Sequence, residues 1–133
     1  MDILVIDGMG GGIGKAVIEQ IKPNFPHANI TAVGTNALAT SAMLKAGADQ
    51  AATGENALIY NCTAADYIIG AVGIALANSM YGEISPNMAT AVATSRAHKI
   101  LIPMDKCITI LGTEEKPIGA YIQEITHILR GQV

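Results

Sequence analysis

The residues with chemistry in them gather at the start of this chain. Ile3-Leu4-Val5-Ile6 is an apolar run of strand length, and Asp7-Gly8-Met9-Gly10-Gly11-Gly12-Ile13-Gly14-Lys15 follows it with five glycines among the seven residues 8–14. Glycine is entropically costly, so this density marks a place where backbone must come close to something. An apolar run broken by glycines and followed by helical periodicity predicts strand, tight loop and helix N-terminus. The first turn of a helix leaves unpaired N–H donors at the positive end of its dipole, so phosphate is the expected guest. Lys15 can donate to it, since a first-turn lysine opposes the dipole and is unfavourable without an anion nearby. Asp7 can bind a ribose or a cation, or cap the backbone donors of the loop.

Three glycine patterns have to be separated. The dinucleotide fingerprint G-x-G-x-x-G fails, because its third position falls on Ile13 or on Lys15. The phosphate loop G-x-x-x-x-G-K-[ST] fails at Met9 and Ala16, which leaves Gly11 to Lys15 as the core of a variant phosphate loop. The spacing Gly8-x-x-x-Gly12-Ile13-Gly14 resembles the G-x-x-x-G-I-G loop of short-chain dehydrogenases, which implies a nicotinamide dinucleotide as ligand. The plain alternative is a glycine turn that only lets a strand reverse into a helix. The dehydrogenase resemblance ends at the loop, because Tyr60, Tyr67, Tyr81 and Tyr121 all lack the lysine four positions on that such enzymes use.

Other polar residues cluster at positions that strand ends would share. Gly34-Thr35-Asn36 stands where dinucleotide enzymes place an acid for the ribose 2′-hydroxyl, yet no acid is there. Hydroxyl and amide groups tolerate a 2′-phosphate, which tilts the choice towards NADP, although no arginine accompanies them. Thr35 and Asn36 are also ordinary helix caps. Thr53-Gly54-Glu55-Asn56 and Asn78-Ser79 can line the far side of the same pocket, and capping or turn roles explain them equally well. His27 reads as a solvated loop residue, and His98 and His127 as surface residues of helices. Met80, Met88 and Met104 read as packing or subunit-contact residues rather than a metal site. There is no G-x-S-x-G elbow, no H-E-x-x-H and no paired cysteine motif, so neither a catalytic residue nor a metal is assigned.

The elements that must position these residues alternate. Ile13, Val17, Ile18 and Ile21 form the apolar stripe of a first helix, which Pro23 ends. Ile30 to Val33 is a second strand, and Asn36 caps a helix whose predicted inner face is Leu38, Ala42, Met43 and Ala46. A weak third strand, Asp49 to Thr53, precedes a helix with Leu58, Ile59 and Cys62 inward. Tyr67 to Ala71 is apolar throughout, as a strand covered on both faces should be. A short helix over Gly73 to Met80 and a turn at Gly82-Glu83-Ile84 follow. Ser85-Pro86 opens a helix reaching His98. Ile100 to Met104 and Ile108 to Leu111 read as strands five and six, and Pro117 opens a last helix along Ile118, Tyr121, Ile122, Ile125 and Leu129. The expected fold is α/β, a three-layer doubly wound parallel sheet (Rossmann-like) forming a single domain over residues 1–133, with a flavodoxin-like strand order as the alternative. In either order ligands bind outside the carboxyl ends of the strands.

Composition bounds the partners. The chain has 133 residues, 50% hydrophobic and 14% charged, with a net charge of −3. So few charges predict a homo-oligomer that hides apolar surface. The charge argues against a nucleic-acid partner. The longest apolar stretch, Tyr67 to Ala77, contains Gly70 and Gly73 and is too short to span a bilayer, so no membrane association is expected. No signal-peptide features precede the first strand, which predicts a cytoplasmic protein. Cys62 and Cys107 are far apart and read as buried free thiols.

Five blocks of the sequence resemble a family of short bacterial proteins catalogued only as a domain of unknown function: Ile6-Asp7-Gly8 through Gly14-Lys15, Gly34 to Thr40, Met43 to Ala48, Ala52 to Ala57 and Ala77 to Ile84. The likeness covers nearly the whole chain and implies one domain, but no activity. Three functions remain open on this footing. One is a nucleotide-binding protein, with NAD or NADP as cofactor (another nucleotide being possible) and its pyrophosphate over Gly10 to Lys15. Another is a small oligomeric reductase or transferase with a shared active site using Asp7, Glu55 or Asn78. The last is a non-catalytic assembly or regulatory module.

Overall fold

The computed structural model describes residues 1–105 and 107–132. Five strands, β1 (Asp2–Asp7), β2 (Asn29–Gly34), β3 (Gln50–Thr53), β4 (Tyr67–Ala71) and β5 (His98–Ile102), form one parallel sheet in the order β3-β2-β1-β4-β5. This is the 3-2-1-4-5 arrangement of the Rossmann fold, not the flavodoxin-like 2-1-3-4-5. The helices are α1 (Gly12–Asn24), α2 (Ala37–Lys45), α3 (Glu55–Cys62), α4 (Pro86–Thr94) and α5 (Ile118–Gln132), with a 3-10 turn at Val72–Ala75.

Alternation along β1 divides the core. Ile3 and Val5 face α1, α2 and α5, where Val17, Ile18, Ile21, Met43, Ile122 and Ile125 are buried. Leu4 and Ile6 face α3 and α4, against Leu58, Ile74, Ile84, Met88 and Val92. Both sheet faces are therefore covered, as the near-continuous apolar strands require.

Several sequence expectations change. Leu38 is 69% exposed, and α2 is seated instead by the buried Ala39 and Met43, with the Ala39 backbone turned against Gly11 of the glycine loop. Pro23 lies inside the last turn of α1 rather than after it. The helix predicted over Gly73 to Met80 shrinks to the 3-10 turn, and α4 stops at Thr94, so His98 starts β5 instead of ending a helix. Residues 108–111 form no sixth strand. Leu111 is 92% exposed and no layer covers this run, so β5 stays an edge. Cys62 is buried as expected, whereas Cys107 is exposed. Among the described residues no helix is long and apolar enough to cross a membrane.

The seating of the helices gives a paired test. Ile18→Ala, in the centre of the first core layer, should cost about 2–5 kcal/mol in urea denaturation. Leu38→Ala should stay within about 0.5 kcal/mol, as expected for an exposed side chain. A comparable loss in both would contradict the placement of α2.

Candidate functional site

All five strands are parallel, so their carboxyl ends share one edge, and the strand order reverses between β1 and β4. In folds of this class ligands bind at such a reversal, which here falls at the end of β1. Asp7, the last residue of β1, is 6% exposed, and its carboxylate accepts the N–H of Gly8 at 2.7 Å and of Gly14 at 2.6 Å. It thereby joins the start of the glycine loop to the first turn of α1. The loop closes through the Gly11 N–H on the Gly8 carbonyl (3.0 Å), and α1 begins with the Lys15 N–H on the Gly11 carbonyl (2.9 Å).

The five glycines fall into two groups. A Cβ on Gly8 would lie 2.7 Å from the Thr35 hydroxyl and 2.8 Å from a Glu83 oxygen, and one on Gly14 would strike Met43. Gly11 has φ of +74° and lies against the backbone of Ala39. Packing or conformation thus requires Gly8, Gly11 and Gly14. Gly10 and Gly12 are different: nothing stands within 4 Å of where their Cβ would be, neither has left-handed φ, and both are exposed. Their N–H groups donate to nothing among the described residues.

Sequence reasoning missed Glu83. Its carboxylate accepts the Met9 N–H at 2.8 Å, the Thr35 hydroxyl at 2.8 Å and the Asn36 amide at 3.0 Å. It ties the glycine loop to the end of β2. The turn that delivers it is strained, with Asn78, Met80 and Tyr81 at φ of 65°, 57° and 56° before Gly82 at 87°. A left-handed non-glycine residue costs about 1–2 kcal/mol. Ile84, fully buried, and the bonds Asn78 N–H to Ile84 carbonyl (2.7 Å) and Glu83 N–H to Met80 carbonyl (3.1 Å) hold the turn closed. The unusual density of polar residues in Asn78-Ser79-Met80-Tyr81-Gly82-Glu83 was the available signal, but the loop's path cannot be read from spacing.

The remaining predicted residues divide. Gly34, Thr35 and Asn36 lie at this site. The Asn36 amide also donates to the Met9 carbonyl (2.9 Å), while its oxygen caps α2 through the Ala39 N–H (2.9 Å). Thr53 pairs with Thr40 at 2.7 Å, and the Gly54 N–H donates to the Gly34 carbonyl. Glu55 accepts the hydroxyl of Ser85, the α4 cap, and Ser79 donates to the Gly73 carbonyl. These four form the surrounding frame. Lys15 is exposed and sits 3.9 Å from Glu19, making no contact with the loop's acceptors. A separate concavity of about 630 Å3 lies beside the β5 edge, between Leu101, Ile110, Lys116 and Ile128, and includes none of these residues. No group of three or more potential metal ligands occurs among the described residues.

The model of the family described as a domain of unknown function (DUF3842) matches residues 2–133. No curated protein matches the chain. A similar solved structure is the dodecameric FMN-dependent UbiX-like decarboxylase from Escherichia coli O157:H7, at 12% identity and a TM-score of 0.43 over 99% of this chain and 93% of that one. A likeness of that size says nothing about ligand or chemistry.

The two acids of the site titrate in opposite directions. Burial pushes Asp7 above the ordinary carboxylate range, opposed by the N–H groups of Gly14, Gly8 and Ile13, with the charge of Glu83 adding to the rise. The Met9 N–H holds Glu83 below that range, helped by Asn36 and Thr35 against a smaller desolvation effect. A carboxylate lowered on folding contributes stability above its unfolded value and loses it as pH falls through the folded value. Glu83→Gln should therefore flatten the acid limb of a stability-against-pH profile. Asp7→Ala should cost about 1–3 kcal/mol at neutral pH, because it strips the Gly8 and Gly14 donors of their buried acceptor. An unchanged acid limb or an unaffected midpoint in urea would refute the respective role.

Proposed function

This chain belongs to the DUF3842 family, and from the site's geometry we propose that it binds a nucleotide, a nicotinamide dinucleotide (NAD or NADP) in first place. The observation that carries this reading is the pair Gly10 and Gly12. The fold gives no steric or conformational reason for glycine at either position, and each is an exposed residue at the N-terminus of α1 whose N–H donates to nothing among the described residues. Glycine is expected there if a pyrophosphate must approach the backbone. Its location at the reversal of strand order supports the same reading.

Two exposed apolar side chains, Met9 and Leu38, flank the Asn36 cap and offer surface for a base. Asp7, with both oxygens engaged by N–H groups, serves as the loop's internal cap and not as a catalyst. The reading includes a homo-oligomer, favoured by exposed Met104, Ile108, Ile110 and Ile128 beside the open edge of β5.

Thermal shift against NAD, NADP, FAD, FMN, ATP and GTP tests the proposal. A ligand at about a hundred times its Kd adds about 2.7 kcal/mol, a rise of several degrees for a domain of this size. Gly12→Asp should abolish that rise while leaving the unliganded protein stable, since the added side chain enters open space and an acid suits a helix N-terminus. No shift with any of the six, or an undiminished shift in a folded Gly12→Asp, would move the assignment to a structural or assembly role.

A further inference from the structure

We propose that Glu83 is the residue that recognises an unphosphorylated ribose, so that the site selects NAD over NADP. The inference rests on the nucleotide reading above and adds its specificity. In dinucleotide folds an acid at the end of the second strand hydrogen-bonds the ribose 2′-hydroxyl. The chain has no acid there, only Thr35 and Asn36. The turn at 78–84 carries a carboxylate to that very place, where it rests on the Thr35 hydroxyl and the Asn36 amide. Position 83 lies 48 residues along the chain from Thr35, so the substitution is spatial and not sequential.

Acceptor capacity decides what the carboxylate can still do. Oε1 takes the Met9 N–H and the Thr35 hydroxyl, which uses its two lone-pair directions. Oε2 takes only the Asn36 amide and keeps one direction open. It can accept one ribose O–H without releasing any existing partner. A 2′-phosphate in the same place would set a second anion against the carboxylate. No arginine or lysine side chain among the described residues donates to Glu83, Thr35 or Asn36, so none of these offsets that repulsion. The bare Thr35 and Asn36 favoured NADP by sequence alone; with Glu83 seated on them the preference reverses.

The strain of the turn fits this role. Met80 and Tyr81 hold left-handed conformations immediately before Glu83, and such outliers gather at ligand clamps. Tyr81 itself is 93% exposed, so its conformation secures no packing of its own ring.

Titration calorimetry of the intact protein with NAD, NADP, ADP and 2′-deoxy-ADP tests the assignment. Wild type should bind NAD at least about ten-fold more tightly than NADP and ADP about ten-fold more tightly than its 2′-deoxy form, the scale of one lost charge-assisted hydrogen bond. Glu83→Gln should bring the NAD-to-NADP ratio to within about three-fold. The deoxy comparison needs no variant and decides the matter should Glu83→Gln not fold. Equal wild-type affinity for NAD and NADP, or indifference to the 2′-hydroxyl, would overturn the role of Glu83 and leave nucleotide binding intact. Failure of all four ligands to bind would overturn the role of Glu83 together with the nicotinamide dinucleotide assignment, and the flavin and guanine nucleotides of the thermal-shift set would then decide whether any nucleotide binds.

Discussion

A buried carboxylate at the end of β1 is the constraint from which the site follows. Asp7 is charged chemistry in a nearly closed environment, and its burial is tolerated because both oxygens meet N–H donors within 2.7 Å. Those donors belong to the first and last glycines of the loop, so one side chain fixes where the loop leaves the strand and where the helix begins. Gly14 must then pass close to Met43, and Gly11 must turn left-handed over Ala39, which seats α2 against the same loop. What the cap does not use, the N–H groups of the exposed residues Gly10 and Gly12, is left without an acceptor among the described residues. These leftover donors are thus a consequence of how the loop satisfies itself internally.

Glu83 completes the arrangement from the opposite sheet face. Its turn springs from the segment between β4 and α4, yet its carboxylate reaches the glycine loop and the end of β2. Three non-glycine residues with left-handed backbone are the local cost. The burial of Ile84 and the charge-assisted bonds of Glu83 offset it, and both depend on the turn keeping its shape. Asp7 and Glu83 also repel, which raises Asp7 in addition to its burial. The fold therefore holds two acids near one another at an edge that its helix dipole makes attractive to anions, Asp7 accepting an α1 donor from Gly14 and Glu83 a loop donor from Met9.

The parts of this architecture that local patterning specifies were legible. Apolar runs gave β1, β2 and β4, the 3.6-residue stripe gave α1 and α5, and the caps at Asn36 and Ser85 were visible as residue types. What failed depended on neighbours far along the chain. Leu38 fits a helical stripe as well as Ala39 does, and the contacts that turn Ala39 and Met43 inward, Gly11 against the Ala39 backbone and Gly14 against Met43, come from far along the chain. Residues 108–111 have strand composition, but a strand also needs a partner edge and a cover, which nothing in the sequence supplies locally. Asp7, the glycines, Thr35 and Asn36 were recognisable as neighbours in space because they stand at the ends of adjacent strands. Glu83 was not, since a turn between strand and helix has no periodicity to say where its side chains arrive. Glu55 and Thr53 stood in the right region but serve the frame, holding α4 and α2 in place.

The charge balance bears on which nucleotide suits such a site. Lys15 leans towards Glu19, and no lysine or arginine side chain among the described residues donates to the loop, so an anion bound as proposed would rely on backbone N–H groups and the α1 dipole. A helix terminus carries about half an elementary charge, and Asp7 already draws on part of it. That field suits the two charges of a pyrophosphate diester better than the four of a nucleoside triphosphate, which usually comes with a bound magnesium and a lysine. The chain has Ala16 where a phosphate loop would hold the metal-binding hydroxyl, and no cluster of metal ligands among its described residues. With Glu83 adding negative charge at the end of β2, each further phosphate of a bound anion would raise the repulsion without gaining a side-chain cation among the described residues. On the proposed reading, the same two acids that shape the loop would favour a ligand of low charge whose sugar hydroxyls can donate.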